Sequence, residues 1–162
     1  MRTAFLFALT LLVALATAQM DIVNEISLKV KASFDQETGT FAEGAFDTLL
    51  EAYAMIGATL EGDITDENEL YGLGVLNCLV TYNLACLEAI NGNTEEAFTW
   101  LETSIDAGYA DADWMREDLD LATLREDARL EELAAAAAEN KVEDCSGPCS
   151  TGGSCCGSGE CN

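Results

Sequence analysis

The residues of this chain that could do chemistry are seven cysteines and thirty carboxylates, with no histidine to work beside them. Five cysteines, Cys145, Cys149, Cys155, Cys156 and Cys161, crowd the carboxyl-terminal stretch DCSGPCSTGGSCCGSGECN. Thiols at that density form disulfides in an oxidising compartment, and a thiolate metal clasp is the reducing-compartment alternative. Cys78 and Cys86 lie far upstream, eight positions apart on one helical pattern. That is about 12 Å along a helix axis, too far for a mutual bridge, so both are expected as packing residues. The total is odd, so at least one thiol per chain is left over. Two bridges inside the tail would leave one tail thiol for a partner or for a second copy, an oligomer held by an intermolecular disulfide.

Catalysis finds little to use. Without histidine the usual proton shuttle near neutral pH and the commonest metal ligand are both missing. No nucleophile elbow, phosphate-binding loop or dinucleotide fingerprint occurs. Carboxylate pairs such as Asp66/Glu67, Glu95/Glu96 and Asp111/Asp113 abound, but in so acidic a chain they do not single out an acid and a base. The stretch from Asn91 to Glu102 loosely echoes calcium-loop spacing, yet Glu96 stands sixth, where a glycine turn is needed. The expectation is a protein that is not an enzyme, with no cofactor, no metal site and no catalytic residue.

The elements that position these residues are helical. Val75, Cys78, Leu79, Tyr82, Cys86, Ala89 and Ile90 recur at steps of three and four and predict an apolar stripe on one helix. Gly92 can take positive φ and end it. Asn93 is the expected N-cap of a second helix, with Glu96 placed to reach back to the cap's N–H. That helix carries Ala97, Phe98, Leu101 and Ile105 on one face and stops at Gly108. Helical spacing also runs through residues 22–34 and 41–60, the latter with Phe46, Leu49, Leu50, Tyr53, Ile56 and Leu60. Residues 66–75 would extend the Cys78–Cys86 helix backwards, although Gly72 and Gly74 weaken it. Trp100 and Trp114 are expected to pack within the helices rather than stack on a ligand. The run Leu130–Ala138 favours helix, with Asn140 and Lys141 ending it. A single proline, Pro148, fits an all-α chain.

The amino terminus predicts export. Arg2 precedes an apolar run over residues 4–16, and Ala16-Thr17-Ala18 is a small-residue cleavage signal, so the leader would end near Ala18. The run is short for a bilayer span, and no second run of spanning length is expected. Loss of Arg2 with the leader leaves six bases against 30 acids, and residues 32–115 hold no Lys or Arg. Such a surface repels phosphate backbones and anionic headgroups, so neither nucleic acid nor membrane insertion is expected. The acids either keep an exported protein soluble or form a surface that selects basic ligands.

Residues 78–111 resemble the tetratricopeptide repeat (TPR), a helix–turn–helix unit of about 34 residues. Asn83-Leu84-Ala85 stands where its first helix has a Leu-Gly/Ala pair. Gly92 matches the turn, Ala97 the small residue of the second helix, Leu101 its large apolar position and Ser104 its late small one. Residues 112–138 look like the terminal helical cap that follows a last repeat, with an L-x-x-L-R-x-D-x-R core. Thr81, Glu88 and Tyr109 replace the usual Trp, Tyr and Pro, and Leu119 and Ala128 stand at positions usually Pro. The resemblance implies a non-catalytic scaffold that binds a protein or peptide on its concave first-helix face, at Tyr82, Asn83, Cys86 and Glu88. There the Asn83 amide would grip an extended backbone. The tail's C-x5-C-C-x4-C portion weakly resembles the double-cysteine core of hevein-like and knottin modules. It lacks their sugar-stacking aromatics, so chitin binding is not implied.

The expected organisation is a signal peptide over 1–18, an all-α, TPR-like array of antiparallel helix pairs over 19–142, and a Gly/Ser/Cys-rich tail over 143–162, disordered or stapled by disulfides. The expected role, secreted or in an endomembrane lumen, is binding a protein or peptide, with charge favouring a basic one. The other class open to the sequence is a Cys-rich extracellular metal-binding or structural protein whose helices are only a carrier.

Overall fold

The computed structural model describes residues 22–140, so the leader and the five-cysteine tail lie outside the described residues. The described residues are all-α. Their only extended pairing is one isolated antiparallel bridge between Phe34 and Phe41, whose rings stack 4.9 Å apart. In chain order come a helix through residues 22–32 (α1), α2 (Ala45–Leu60), α3 (Glu67–Asn91) and α4 (Thr94–Asp106). Then follow α5 (Ala112–Glu117), a 3-10 helix (Leu119–Leu124) and α6 (Ala128–Glu139).

Side-chain carboxylates start most of these helices. Asp66 accepts the Asn68 and Glu69 N–H groups at the head of α3, Asp111 that of Trp114, Asp118 that of Asp120 and Asp127 that of Arg129. Each satisfies an orphan N–H and sets a negative charge at the positive end of a helix.

The turn between α3 and α4 departs from the expected capping box. Gly92 sits at φ 81°, its N–H bonds the Ala89 carbonyl, and the Asn93 N–H bonds the Glu88 carbonyl. This six-to-one and five-to-two pair is a Schellman motif. It consumes the N–H that Glu96 was expected to reach. The Asn93 amide caps nothing and donates instead to Glu88 Oε2 at 2.6 Å. In so short a turn, one residue closes the first helix before it can be capped from the second. α4 ends the same way, with Gly108 at φ 104° and Tyr109 N–H bonded to the Ser104 carbonyl.

α4 doubles back along α3, since Ser104 near its end donates its hydroxyl to the Cys78 carbonyl at 2.9 Å. Ala85 and Ala97 are both fully buried here. α3 therefore has a core on each side. Toward α2 and α1 it sends Leu73, Leu76, Val80 and Leu84, against Leu49, Ala52, Ile56 and Ile26. Toward α4, α6 and the 3-10 helix it sends Tyr82, Ala85, Cys86 and Ala89, against Phe98, Leu101, Leu121 and Leu130 among others. Trp100 touches both cores and meets Tyr53 of α2 edge-on at 5.3 Å.

Three further expectations are corrected. Val75, Leu79 and Ile90, assigned to the buried stripe, are exposed. Trp114 is exposed as well, since α5 is a short helix that buries Ala112 and Met115 on its other face. α3 is long and apolar enough to cross a bilayer by length and composition, contrary to the absence expected; half of that stretch is buried inside the fold.

Candidate partner-binding face

α3 runs for 25 residues and α4 for 13, so the amino-terminal half of α3 outreaches its neighbour. On that half, Tyr71 is 76% exposed, Val75 38% and Leu79 42%. These positions are four apart and form a ridge on the helix surface. Exposed Glu67 begins the same ridge and half-buried Asn83 continues it, with exposed Leu70 alongside. Large apolar side chains left bare in a row, rather than singly, mark a surface that another molecule can cover.

Beneath the carboxyl-terminal half of α3 lies a polar cluster. The Tyr82 hydroxyl donates to Asp118 Oδ2 at 2.9 Å, and Cys86 Sγ lies 3.7 Å from the same oxygen. The Tyr82 ring stacks on Tyr109, with centroids 4.4 Å apart and planes within 9°. Asp118 Oδ1 accepts the Asp120 N–H at 3.0 Å, and the Thr123 hydroxyl donates to the Ala89 carbonyl at 3.0 Å. These bonds fasten the 3-10 helix onto α3. Burial, with the Cys86 and Tyr109 groups and the Asp118 carboxylate close by, pushes the Tyr82 hydroxyl far above the tyrosine range. Burial and then Asp118 push the Cys86 thiol well up, and burial does the same to Tyr109. Asp120 is raised by burial and by the neighbouring Asp118 charge. Burial thus favours the neutral forms of this thiol and these two phenols, and the bonds of the cluster join the 3-10 helix to α3.

Of the four residues expected to contact a partner, Tyr82, Cys86 and Glu88 are buried. Tyr82 and Cys86 lie under the 3-10 helix, and Glu88 is taken by Asn93. Asn83 alone keeps partial exposure and stands at the end of the ridge. Cys145, Cys149, Cys155, Cys156 and Cys161 lie outside the described residues. No family model matches the chain, and no curated protein or solved structure matches it.

Elsewhere among the described residues lies a shallow, open hollow of about 240 Å³, lined by Glu95, Glu96, Thr99 and Trp100. Arg129 holds Glu95 through two bonds of 2.9 Å and lies 4.0 Å over the Phe98 ring. Half of its acidic rim is thus already neutralised. Among the described residues, no group of three or more possible ligands comes together to hold a metal ion.

The reading from sequence missed the ridge because it assigned Val75 and Leu79 to the core. Asp118 gave no signal of its own, being one acid among thirty.

Proposed function

We propose that this is an exported, non-catalytic, TPR-like helical protein that binds a basic amphipathic segment of another protein. The observation that carries this reading is the bare apolar ridge Tyr71–Val75–Leu79 in a stretch of chain without a single Lys or Arg. An apolar strip set in an acidic surround matches a helix with one apolar and one cationic face, since burial supplies affinity and charge selects the partner. The doubling back of α4 on α3, with small Ala85 and Ala97 buried at the closure, supports the repeat-like scaffold. The Asn83 amide at the ridge's end would serve a partner's backbone. Export, with a disulfide-stapled tail, rests on the leader pattern and the cysteine density.

The test is fluorescence anisotropy with two labelled amphipathic peptides of equal hydrophobicity, one lysine-rich and one glutamate-rich. The lysine-rich peptide should bind and lose affinity steeply with salt. Tyr71→Ser with Leu79→Ser should weaken it about 10- to 100-fold, from roughly 1.5–3 kcal/mol of lost apolar burial. Equal binding of both peptides, or no effect of the double substitution, would sink the proposal.

A further inference from the structure

Resting on the proposed partner reading, we infer that the docking face continues beyond α3 onto the bare apolar pair Leu119 and Trp114. Its occupant is then a basic amphipathic helix of about four turns or more.

The place where the ridge stops leads there first. Seven positions after Leu79, on the same side of α3, comes Cys86. Cys86 is covered, with its Sγ 3.7 Å from Asp118 Oδ2, and the Tyr82 hydroxyl reaches the same oxygen at 2.9 Å. Asp118 is the N-cap of the 3-10 helix, so the head of that element sits on α3 where the bare surface ends.

That head is itself apolar on its outside. Leu119, the first residue of the 3-10 helix, is 79% exposed, the most exposed large apolar side chain among the described residues. Trp114 is 55% exposed and lies one turn earlier, its carbonyl accepting the Asp118 N–H at 2.8 Å. The two elements fill the core with other residues, Ala112 and Met115 from α5, Leu121 and Leu124 from the 3-10 helix. Two large apolar side chains therefore flank Asp118 with no part in the core, next to a ridge in the same condition.

Charge names the occupant. Exposed Glu67 opens the face, and exposed Glu117 stands between Trp114 and Leu119. The nearby cations are engaged within the fold. Arg116 bonds Glu131 at 2.7 and 2.9 Å, and Arg125 donates to the Glu117 and Asp118 carbonyls at 2.8 and 3.1 Å. Carboxylates thus border both ends of one apolar track, which suits a helix whose apolar stripe is flanked by lysines or arginines. Between Tyr71 and Cys86, α3 advances about 22 Å, so a partner helix needs about 15 residues to lie on both parts. A helix of about two turns covers the ridge alone.

The experiment is fluorescence anisotropy on the full chain with two lysine-rich amphipathic peptides matched in net charge. One has 18 residues and the other 10, the shorter held helical by a side-chain lactam. The longer peptide should bind about 10-fold or more tightly than the shorter. Leu119→Ser with Trp114→Ser should remove that advantage and leave the shorter peptide's affinity unchanged. Leu119→Lys, a single exposed change, should weaken the longer peptide as well, and Leu28→Ser, on exposed α1 surface, should weaken neither. Equal affinity of the two peptides overturns the extension, as does a longer peptide indifferent to the substitutions; in both cases the ridge reading stands. Failure of both peptides to bind the native sequence sinks the ridge reading and the extension together. Comparing the two peptides on the native sequence requires no variant to fold.

Discussion

Asp118→Ala is the substitution to which the fold should be most sensitive for its small change in volume. The carboxylate ends three interactions: the Tyr82 hydroxyl at 2.9 Å, the Asp120 N–H at 3.0 Å and the longer Cys86 contact. Removing it strands a buried tyrosine hydroxyl, which costs about 1–3 kcal/mol. It also uncaps the 3-10 helix, at about 1 kcal/mol. Relief of Asp120, whose carboxyl the Asp118 charge helps to raise, offsets a small part. The expected loss is about 2–4 kcal/mol, or a fall in Tm of about 6–16 °C for a domain of this size. Tyr82→Phe alone should cost only about 1 kcal/mol, because Asp118 keeps its bond to Asp120. In the double variant no hydroxyl is stranded, so a double-mutant cycle by urea unfolding should give a coupling of about 1–2 kcal/mol. If the two losses simply add, within about 0.5 kcal/mol, the hydroxyl and the carboxylate do not depend on each other, and the account of how the 3-10 helix is held fails.

Two other perturbations probe the helices and the charge. Ala97→Leu forces a larger side chain into a fully buried site between α3 and α4, and should cost about 1–3 kcal/mol in thermal or urea melts; an unchanged Tm would show that the closure is loose. Hydrogen bonds from Arg129 hold Glu95 and Asp127 below the usual carboxylate range, and Arg116 does the same for Glu131. A lowered folded pKa gives stability that is complete above the unfolded value, near pH 4, and is lost as pH falls through the folded one. Asp120 runs the other way, because its raised pKa favours the fold at low pH and that contribution fades as pH rises through the folded value. With self-repulsion among thirty acids also relieved by acid or salt, Tm should hold or rise from pH 7 to about 5, then fall below about 4. A Tm that stays level between pH 5 and 2.5 would contradict the ion-pair assignment.

How much of this was legible in the sequence depends on the helix. α4 carries a narrow apolar face, and Ala97, Phe98, Leu101 and Ile105 were placed correctly because only one side of it could be buried. The glycines at 92 and 108 marked both helix ends, since each takes a positive φ that other residues avoid. The cap between them was misjudged, because the same backbone N–H had two claimants and the nearer carbonyl won. α3 was the harder case. Its mid-section reads LGVLNCLVTYNLACLEAI, apolar nearly all round, so helical periodicity finds several stripes and cannot say which is covered. Coverage was decided by the lengths of α2 and α4 and by where the 3-10 helix lands. Those are tertiary facts with no local signature. Hence Tyr82 and Cys86, which continue the face of Tyr71 and Val75 around the helix, came out buried, while the earlier pair stayed bare. The ridge is the part of one continuous apolar face that the described chain leaves uncovered, so the proposed partner site and the core share one sequence pattern. Their difference lies only in which part of α3 the chain itself reaches.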